Sequence, residues 1–200
     1  MNEAKKKKEK WIKGKIFQIQ LKDGSFGYCQ LATLPFTNFL DYRTLKKDEY
    51  KIENILNSPI LFKVPVFRYA INQGNWNCIG KKEVKAEDDI EPWFFKYDSL
   101  AKKFYLYKNS TSEEIPSTWE ECKDLECAAI WEPHHVEERL LDYFEGRPSV
   151  RYEYLKPEFA KRLALYPTER LSDREEYLKP EFIQYEGIEF DPSGPVNKDK

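Results

Sequence analysis

Two adjacent histidines, His134 and His135, are the residues of this 200-residue chain best suited to acid–base or metal chemistry. His134 and Glu138 are four positions apart, so in a helix their side chains would share a face and could bind one metal ion. Zinc hydrolases usually gather three protein ligands, and the chain has no further histidine, so carboxylates alone would have to complete such a site. We therefore predict an exposed helix start at these histidines and expect neither a metal ion nor a cofactor.

Other catalytic motifs are absent from the sequence. It contains no G-x-S-x-G nucleophile elbow and no C-x-x-C pair, and its eight glycines form neither of the common phosphate-binding loops. Aromatic residues make up 16% of the chain, and such large, rigid side chains serve cores and contact surfaces. These observations favour a binding protein over an enzyme. The four cysteines are scattered, and we expect buried or unpaired thiols at Cys29, Cys78, Cys122 and Cys127.

The balance of charge argues against a strong global electrostatic field. The net charge is -2, so we expect no general attraction to nucleic acid or to membranes. No stretch approaches 18 consecutive apolar residues, and the N-terminal region lacks the continuous apolar run of a secretory signal. We therefore expect a cytoplasmic protein. The lysine run at residues 5–8 keeps open one alternative, a nucleic-acid-binding module.

Alternating apolar and polar residues predict that the first part of the chain folds into β-hairpins. The Asp23-Gly24 pair supplies the tight turn of the first hairpin, and a further strand is expected at 37–43. Asn72-Gln73-Gly74 is expected to turn the second hairpin. The predicted strand pairs are 15–21 with 25–34, 60–71 with 76–79, and 93–97 with 104–107.

Helical spacing of apolar residues predicts two helices that pack on the strands. The first runs from residue 48 to the Ser58-Pro59 pair, and the second spans residues 133–145. Smaller predicted elements are a helical turn at 117–121 capped by Ser117 and a last strand at 128–131. Core positions are expected for most of the tryptophans in or beside these elements, which are Trp76, Trp93, Trp119 and Trp131.

We predict an α+β, β-rich fold, with a bent antiparallel sheet or partly open barrel, two packed helices and a short helical C-terminal extension. The expected divisions are a disordered basic N-terminus at 1–10, the β-rich domain at 11–150, the helical extension at 151–186 and a disordered tail at 187–200. The extension carries the sequence Tyr-Leu-Lys-Pro-Glu-Phe twice, at 154–159 and at 177–182. Two copies are too few for a solenoid, so we interpret them as a local duplication, with a docking tail as the alternative.

Several segments, in their order and spacing, resemble the immunity protein 26 family. They are GKIFQIQLKDGSFG (14–27), FLDYR (39–43), ILFKV (60–64), WNCIG (76–80) and VEERL (136–140), the last followed by Gly146 and Pro148. The resemblance extends over about residues 11–150. It implies a bacterial protein, encoded beside a polymorphic toxin, that binds the cognate toxin domain and blocks its active or substrate surface without catalysis.

Some names given to this family refer to organophosphate hydrolysis, so a metal-dependent phosphotriesterase-like hydrolase remains the enzyme alternative. The family offers no established set of contact residues and no indication of oligomeric state. We therefore choose candidate contact residues on physical grounds, as an acidic loop with possible rim and anchor groups. They are Glu87, Asp88 and Asp89 in the loop, with Asp41, Tyr42, Arg43 and Trp93.

Overall fold

Two separate β-sheets form the framework of the protein in the computed structural model, which describes residues 9–159. The predicted tail at 187–200 and the second Tyr-Leu-Lys-Pro-Glu-Phe segment lie outside the described residues. The predicted N-terminal tail and C-terminal extension lie inside them only at residues 9–10 and 151–159.

The first sheet has five strands in the order β4-β3-β2-β1-β5, and all neighbouring strands are antiparallel. The predicted hairpin between β1 and β2 is confirmed, because Gly24 has a φ of +86° and donates its amide to the carbonyl of Leu21 at 3.0 Å. The strands are β1 (Lys15–Gln20), β2 (Phe26–Leu31), β3 (Phe36–Thr44), β4 (Ile60–Pro65) and β5 (Asn77–Lys81).

The second sheet has four strands in the order β8-β7-β6-β9, with β9 parallel to β6 and the other pairs antiparallel. Its strands are β6 (Phe94–Asp98), β7 (Lys103–Lys108), β8 (Glu113–Ser117) and β9 (Glu126–Cys127). The edge strand β8 is exposed along most of its length and contains Glu113, Glu114 and Pro116. Charge and proline are typical of sheet edges, and they also hide such strands from sequence analysis.

Short helices connect and cover the strands. They are α1 (Ile52–Asn57), α2 (Tyr69–Asn72), α3 (Trp119–Cys122), α4 (Pro133–Phe144) and α5 (Val150–Tyr154). Among residues 9–159, none of these helices has the length and apolarity needed to span a bilayer. The predicted helix at 133–145 is confirmed as α4, with Pro133 in its first turn.

Helix α4 packs closely on the first sheet. Val136 and Leu140 are fully buried, as the helical spacing of apolar residues predicted. Gly27 of β2 lies beneath the helix, where a Cβ atom would come within 3.2 Å of Cδ1 of Leu140. The missing side chain at Gly27 therefore permits the close approach of helix and sheet.

Both faces of the first sheet are buried. One face packs under α4 around Phe17 and Phe39, which are fully buried. The opposite face packs against α1 through Ile55, with Ile16 and Tyr28 from the sheet. All six residues of β2 are buried, so this central strand has hydrophobic contacts on each side.

The second sheet is covered on one face. Phe95 and Phe104 pack there against Cys122 of α3. The two sheets meet where Phe36 stacks on Phe94, with ring centroids 5.8 Å apart and an interplanar angle of 12°. The opposite face of the second sheet consists largely of half-buried residues beyond this stack.

Arg139 of α4 ties the two sheets together. Its guanidinium donates to both carboxylate oxygens of Glu126 in β9, at 3.1 and 2.6 Å. It also lies 3.9 Å from the ring centroid of Phe62 in β4 and 3.8 Å from that of Tyr152 in α5. Arg139 is only 7% exposed, so this charge is held by paired hydrogen bonds and aromatic faces in place of water.

The predicted second hairpin is wrong. Strand β5 pairs with β1, and β4 lies at the other edge of the same sheet. The end of the predicted strand forms α2, which places Ala70 and Ile71 in the main core. Burial of these apolar side chains outweighs the local preference of the segment for extended structure.

Two smaller predictions also need correction. Thr118, and not Ser117, caps α3, in a capping box completed by Glu121. The last predicted strand, at 128–131, is replaced by β9, and Trp131 forms only an isolated parallel bridge with Val66. The remaining tryptophan predictions fit in part, since Trp76 and Trp131 are 2% and 3% exposed while Trp93 and Trp119 are half-buried.

The predicted α+β, β-rich fold class is confirmed. The strands are divided between two sheets, and the described residues form no closed barrel. The first sheet contains the first predicted hairpin, and the predicted hairpin of 93–97 with 104–107 is confirmed as β6 and β7 of the second sheet. The two sheets meet at the Phe36–Phe94 stack.

Candidate partner-binding surface

The predicted acidic loop is a 3-10 turn at Glu87–Asp89, in the segment that joins the two sheets. The carboxylate of Asp89 accepts hydrogen bonds from the backbone amide and the hydroxyl of Thr33, at 2.8 and 2.9 Å, and pairs with Lys13. Burial alone would raise the pKa of Asp89, but these bonds outweigh it and lower the pKa below its ordinary value. Asp89 is therefore an internally paired carboxylate.

The backbone of this turn is anchored on the first sheet. The carbonyl of Asp88 accepts from Nδ2 of Asn38 at 2.9 Å and from Nζ of Lys63 at 2.5 Å. Burial lowers the pKa of Lys63, while the carboxylates of Asp88 and Asp89 act in the opposite direction. Glu87 is exposed to solvent, and it is the acidic side chain of the turn most open to a partner.

The following residues attach the same segment to the second sheet. The carboxylate of Glu91 accepts from the backbone amide of Ser110 at 3.0 Å, at the turn between β7 and β8. Trp93 is half-buried, and the ammonium of Lys108 lies 4.6 Å from the centroid of its ring. The segment thus places Glu87 and Trp93 within six residues on a connector fixed at both ends.

The second sheet has an open face on the side away from α3. Tyr105 and Tyr107 lie on that face, where they pair with Lys96 and Phe94. The residues that alternate with them along the strands, such as Phe95 and Phe104, point toward α3. The ammonium of Lys96 sits 3.7 Å from the ring centroid of Tyr107 and bonds Glu114 at 2.6 Å. This half-buried surface of tyrosines and lysine was missed by the sequence analysis, although the alternation at 103–108 contains the signal.

Asp41, Tyr42 and Arg43 lie in β3 and are engaged elsewhere. The hydroxyl of Tyr143 donates to Asp41 at 3.0 Å, and the ring of Tyr42 packs edge-on against a buried tyrosine of β2. Arg43 pairs with Asp23 at 2.5 Å. Among the described residues, the hydrogen bonds of Asp41 and Arg43 go to Tyr143, Asp23, Ser25 and Phe144, and not to residues 87–93.

The histidine pair lies at the start of α4, with His134 exposed and His135 half-buried. Burial, with help from Arg151 and His134, lowers the pKa of His135. Glu138 is paired with Lys22 at 2.6 Å. Within residues 9–159, no three histidine, cysteine, aspartate or glutamate side chains converge as a metal site.

The four cysteines are free thiols. Cys29 is completely buried, and burial raises its pKa far above the ordinary value. Burial likewise raises the pKa of Cys127 to about 11. Because the thiolate is the reactive form, these two side chains behave as small apolar groups and not as nucleophiles.

Comparison with protein families gives one finding. Residues 12–106 match the family model described as immunity protein 26, a region that includes the first sheet, β6 and most of β7. The match confirms the family resemblance, although it is shorter than the 11–150 predicted from the sequence. Neither the curated proteins nor the solved structures gave a match.

Proposed function

We propose that the protein, whose residues 12–106 match the family model described as immunity protein 26, binds a cognate toxin domain in the cytoplasm. Binding neutralises the toxin by covering its active or substrate surface. The family match is the observation that carries this proposal. A tight complex of this kind needs an interface of roughly 1,600 Å² in total, which exceeds any single loop.

The contact surface in this proposal is the connector of Glu87 and Trp93 together with the open face of the second sheet. Tryptophan and tyrosine often dominate binding energy, because they bury a large area with few rotatable bonds. Trp93, Tyr105 and Tyr107 are half-buried, so each retains surface for a partner while its position is fixed. The exposed carboxylate of Glu87 adds charge selectivity at the rim.

The other predicted contact residues have supporting roles. Asp88 and Asp89 fix the turn through the bonds to Asn38, Lys63 and Thr33. Asp41 and Arg43 brace β3 against α4 and the β1–β2 turn, since their polar groups are bonded there, while the ring of Tyr42 packs on Tyr28.

In this proposal the protein is an inhibitor and not an enzyme. The hydrolase alternative requires His134 and His135 to share a metal ion with carboxylates, yet Glu138 is bonded to Lys22. Metal analysis of the purified protein, combined with a phosphotriester turnover assay, tests this alternative. If the protein bound metal stoichiometrically and also hydrolysed the phosphotriester, a catalytic function would replace the proposed one.

The main test is to search the neighbouring genes for a large multidomain toxin and to copurify its C-terminal domain with the full chain. We expect a stable complex and loss of that domain's toxicity. In the complex, Trp93→Ala should weaken binding about 30-fold, the effect of losing roughly 2 kcal/mol at a hot spot. Glu87→Lys should weaken it less.

Glu53→Lys is the matched control, because it makes the same charge change on the exposed surface of α1. Equal effects of Glu53→Lys and Glu87→Lys would show that net charge, and not this surface, governs binding. Failure of the wild-type chain to bind or neutralise the domain would overturn the proposed function.

A further inference from the structure

A groove of about 500 Å³ lies beside Asp89, since two of its lining residues, Lys13 and Thr33, bond that carboxylate. The chain enters the first sheet here, and Gly14 donates its amide to the carbonyl of Leu31 at 2.8 Å. Nε1 of Trp11 donates to the carbonyl of Ala32 at 3.4 Å. The N-terminal segment is thereby held beside the β2–β3 turn. The lining residues are Lys10, Trp11, Lys13, Thr33, Leu34, Arg68 and Asn72.

The lining of this groove is cationic and contains no carboxylate. Lys13 is neutralised by Asp89 next to the groove. Lys10 and Arg68 are exposed and form no ion pair within the part of the chain that the structure describes. Two uncompensated cations therefore face a concave surface in a protein whose net charge is -2.

Apolar surface separates these cations. Leu34 is 43% exposed, and Trp11 is half-buried in the groove wall. Asn72 is exposed and adds an amide at the rim. A ligand that satisfies this lining carries carboxylates spaced around an apolar side chain.

We propose that this groove binds an acidic segment of the protein partner, with carboxylates at Lys10 and Arg68 and an apolar side chain against Leu34 and Trp11. The inference rests on the proposed function, and it adds a second part to the contact surface. Asp89 and Lys13 form the boundary between this basic groove and the acidic Glu87. The partner surface therefore has acidic groups opposite the groove and basic groups opposite Glu87.

A nucleic acid fits the groove less well. Affinity for a phosphate backbone grows with the number of phosphates that cations neutralise, and two free cations neutralise about two. The neighbouring carboxylate of Glu87 would repel the rest of a polyanionic strand. A short protein segment needs only the two charges present.

The first arm of the test uses the full chain and a labelled synthetic peptide, Asp-Glu-Leu-Glu-Asp, at low salt. We expect weak binding that falls as salt rises, and a loss of at least about tenfold in the double variant Lys10→Glu with Arg68→Glu. Leu34→Asp should also reduce peptide binding without altering either cation. Thermal unfolding of each variant checks that the fold is retained, as expected for exposed positions.

Lys46→Glu with Lys51→Glu is the matched control, since both lysines are exposed and lie outside the groove. Equal loss in the control would overturn the inference in favour of bulk charge. Tighter binding of a 20-base single strand of DNA than of the peptide, lost in the Lys10 and Arg68 variant, would overturn it in favour of nucleic acid. Absence of peptide binding to the wild-type chain would also overturn it.

The second arm separates this inference from the proposed function. The toxin domain used for copurification is titrated with the wild-type chain and with the double groove variant. If both bind equally, the groove inference fails and the proposed function stands. If the wild-type chain does not bind the domain, the proposed function fails whatever the peptide result.

Discussion

The two sheets differ in how their faces are used. The first sheet is buried on both faces, under α4 on one side and α1 on the other, whereas the second sheet packs only against α3 and the Phe36–Phe94 stack. Buried apolar area is the main source of folding free energy, so stability is concentrated in the first sheet. The second sheet can therefore carry contact residues that change without unfolding the protein.

The polar groups of the two sheets show the same difference. In the first sheet, the hydroxyl of Tyr28 accepts from Gln18 at 3.0 Å and bonds Thr44 at 2.7 Å, all in the interior. Burial raises the pKa of Tyr28, although these bonds act in the opposite direction. In the second sheet, Lys96 and Glu114 form a partly exposed ion pair, which contributes little to stability. The buried hydrogen bonds of Tyr28 favour one arrangement of the core, whereas the Lys96–Glu114 pair leaves charged groups at the surface.

The largest expected effect is a difference in the free energy of unfolding between two alanine variants, one at an aromatic residue of each sheet. Phe39 is fully buried and stacks on Phe62 with ring centroids 4.8 Å apart. Phe39→Ala should lower the free energy of unfolding by about 4 kcal/mol, since it removes a buried ring and leaves a cavity. Tyr105→Ala, on the open face, should cost less than about 1 kcal/mol. Urea unfolding of both variants measures the difference, and similar losses would contradict the proposed contrast.

A smaller effect is expected at the residue that joins the sheets. Arg139→Ala removes both hydrogen bonds to Glu126 and leaves that carboxylate partly buried without its partner. We expect a loss of about 3 kcal/mol, at the lower end for breaking a buried ion pair. Arg147→Ala is the control, because the side chain of Arg147 is 55% exposed, and it should cost less than about 0.5 kcal/mol. A loss at Arg139 no larger than at Arg147 would mean that the sheets are held together by other contacts.

The smallest expected effect depends on pH and concerns Glu137 of α4. Burial raises the pKa of Glu137 above the ordinary value of 4.5, although a hydrogen bond from Trp76 acts in the opposite direction. The folded state therefore holds this proton more tightly than the unfolded state. The stability that Glu137 contributes is therefore full below its ordinary pKa and is lost as pH rises through the raised pKa of the folded state.

Glu137→Gln removes this titration and keeps an oxygen that accepts from Trp76. The variant should gain stability relative to the wild-type protein as pH rises from 4 to 8, measured by urea unfolding at each pH. Glu138→Gln removes a more exposed carboxylate of the same helix and serves as the control. A constant difference between the Glu137 variant and the wild-type protein across this range would contradict the effect of burial.

Local patterns predicted the parts of the fold whose signals lie close together in the chain. Alternation and the Asp23-Gly24 turn predicted β1 and β2, and the apolar stripe of residues 136–141 predicted α4. The pairing of β5 with β1 has no local signal in the sequence, because the paired residues lie far apart in the chain. Lys15 and its partner Lys81, for example, are separated by more than 60 residues. Helix α2 was missed because four residues are too few to show a helical period.

The proposed contact surface was predictable only in part, for a related reason. The charges of residues 87–89 are visible in the sequence, but the pairing of Asp89 with Lys13, a residue 76 positions away, is not. The alternation around Tyr105 and Tyr107 indicates two faces of a strand. Which face stays open depends on where α3 packs, and only the folded structure shows this.

Edge strand β8 has a consequence for how molecules of this protein meet one another. Stacking copies edge to edge would bring rows of Glu113 and Glu114 carboxylates together, and Pro116 would offer no amide hydrogen to the next copy. Fibrillar self-assembly through this edge is thereby disfavoured even at high concentration. In the proposed complex, the partner approaches across the open face of the second sheet, where side chains and not backbone groups determine recognition.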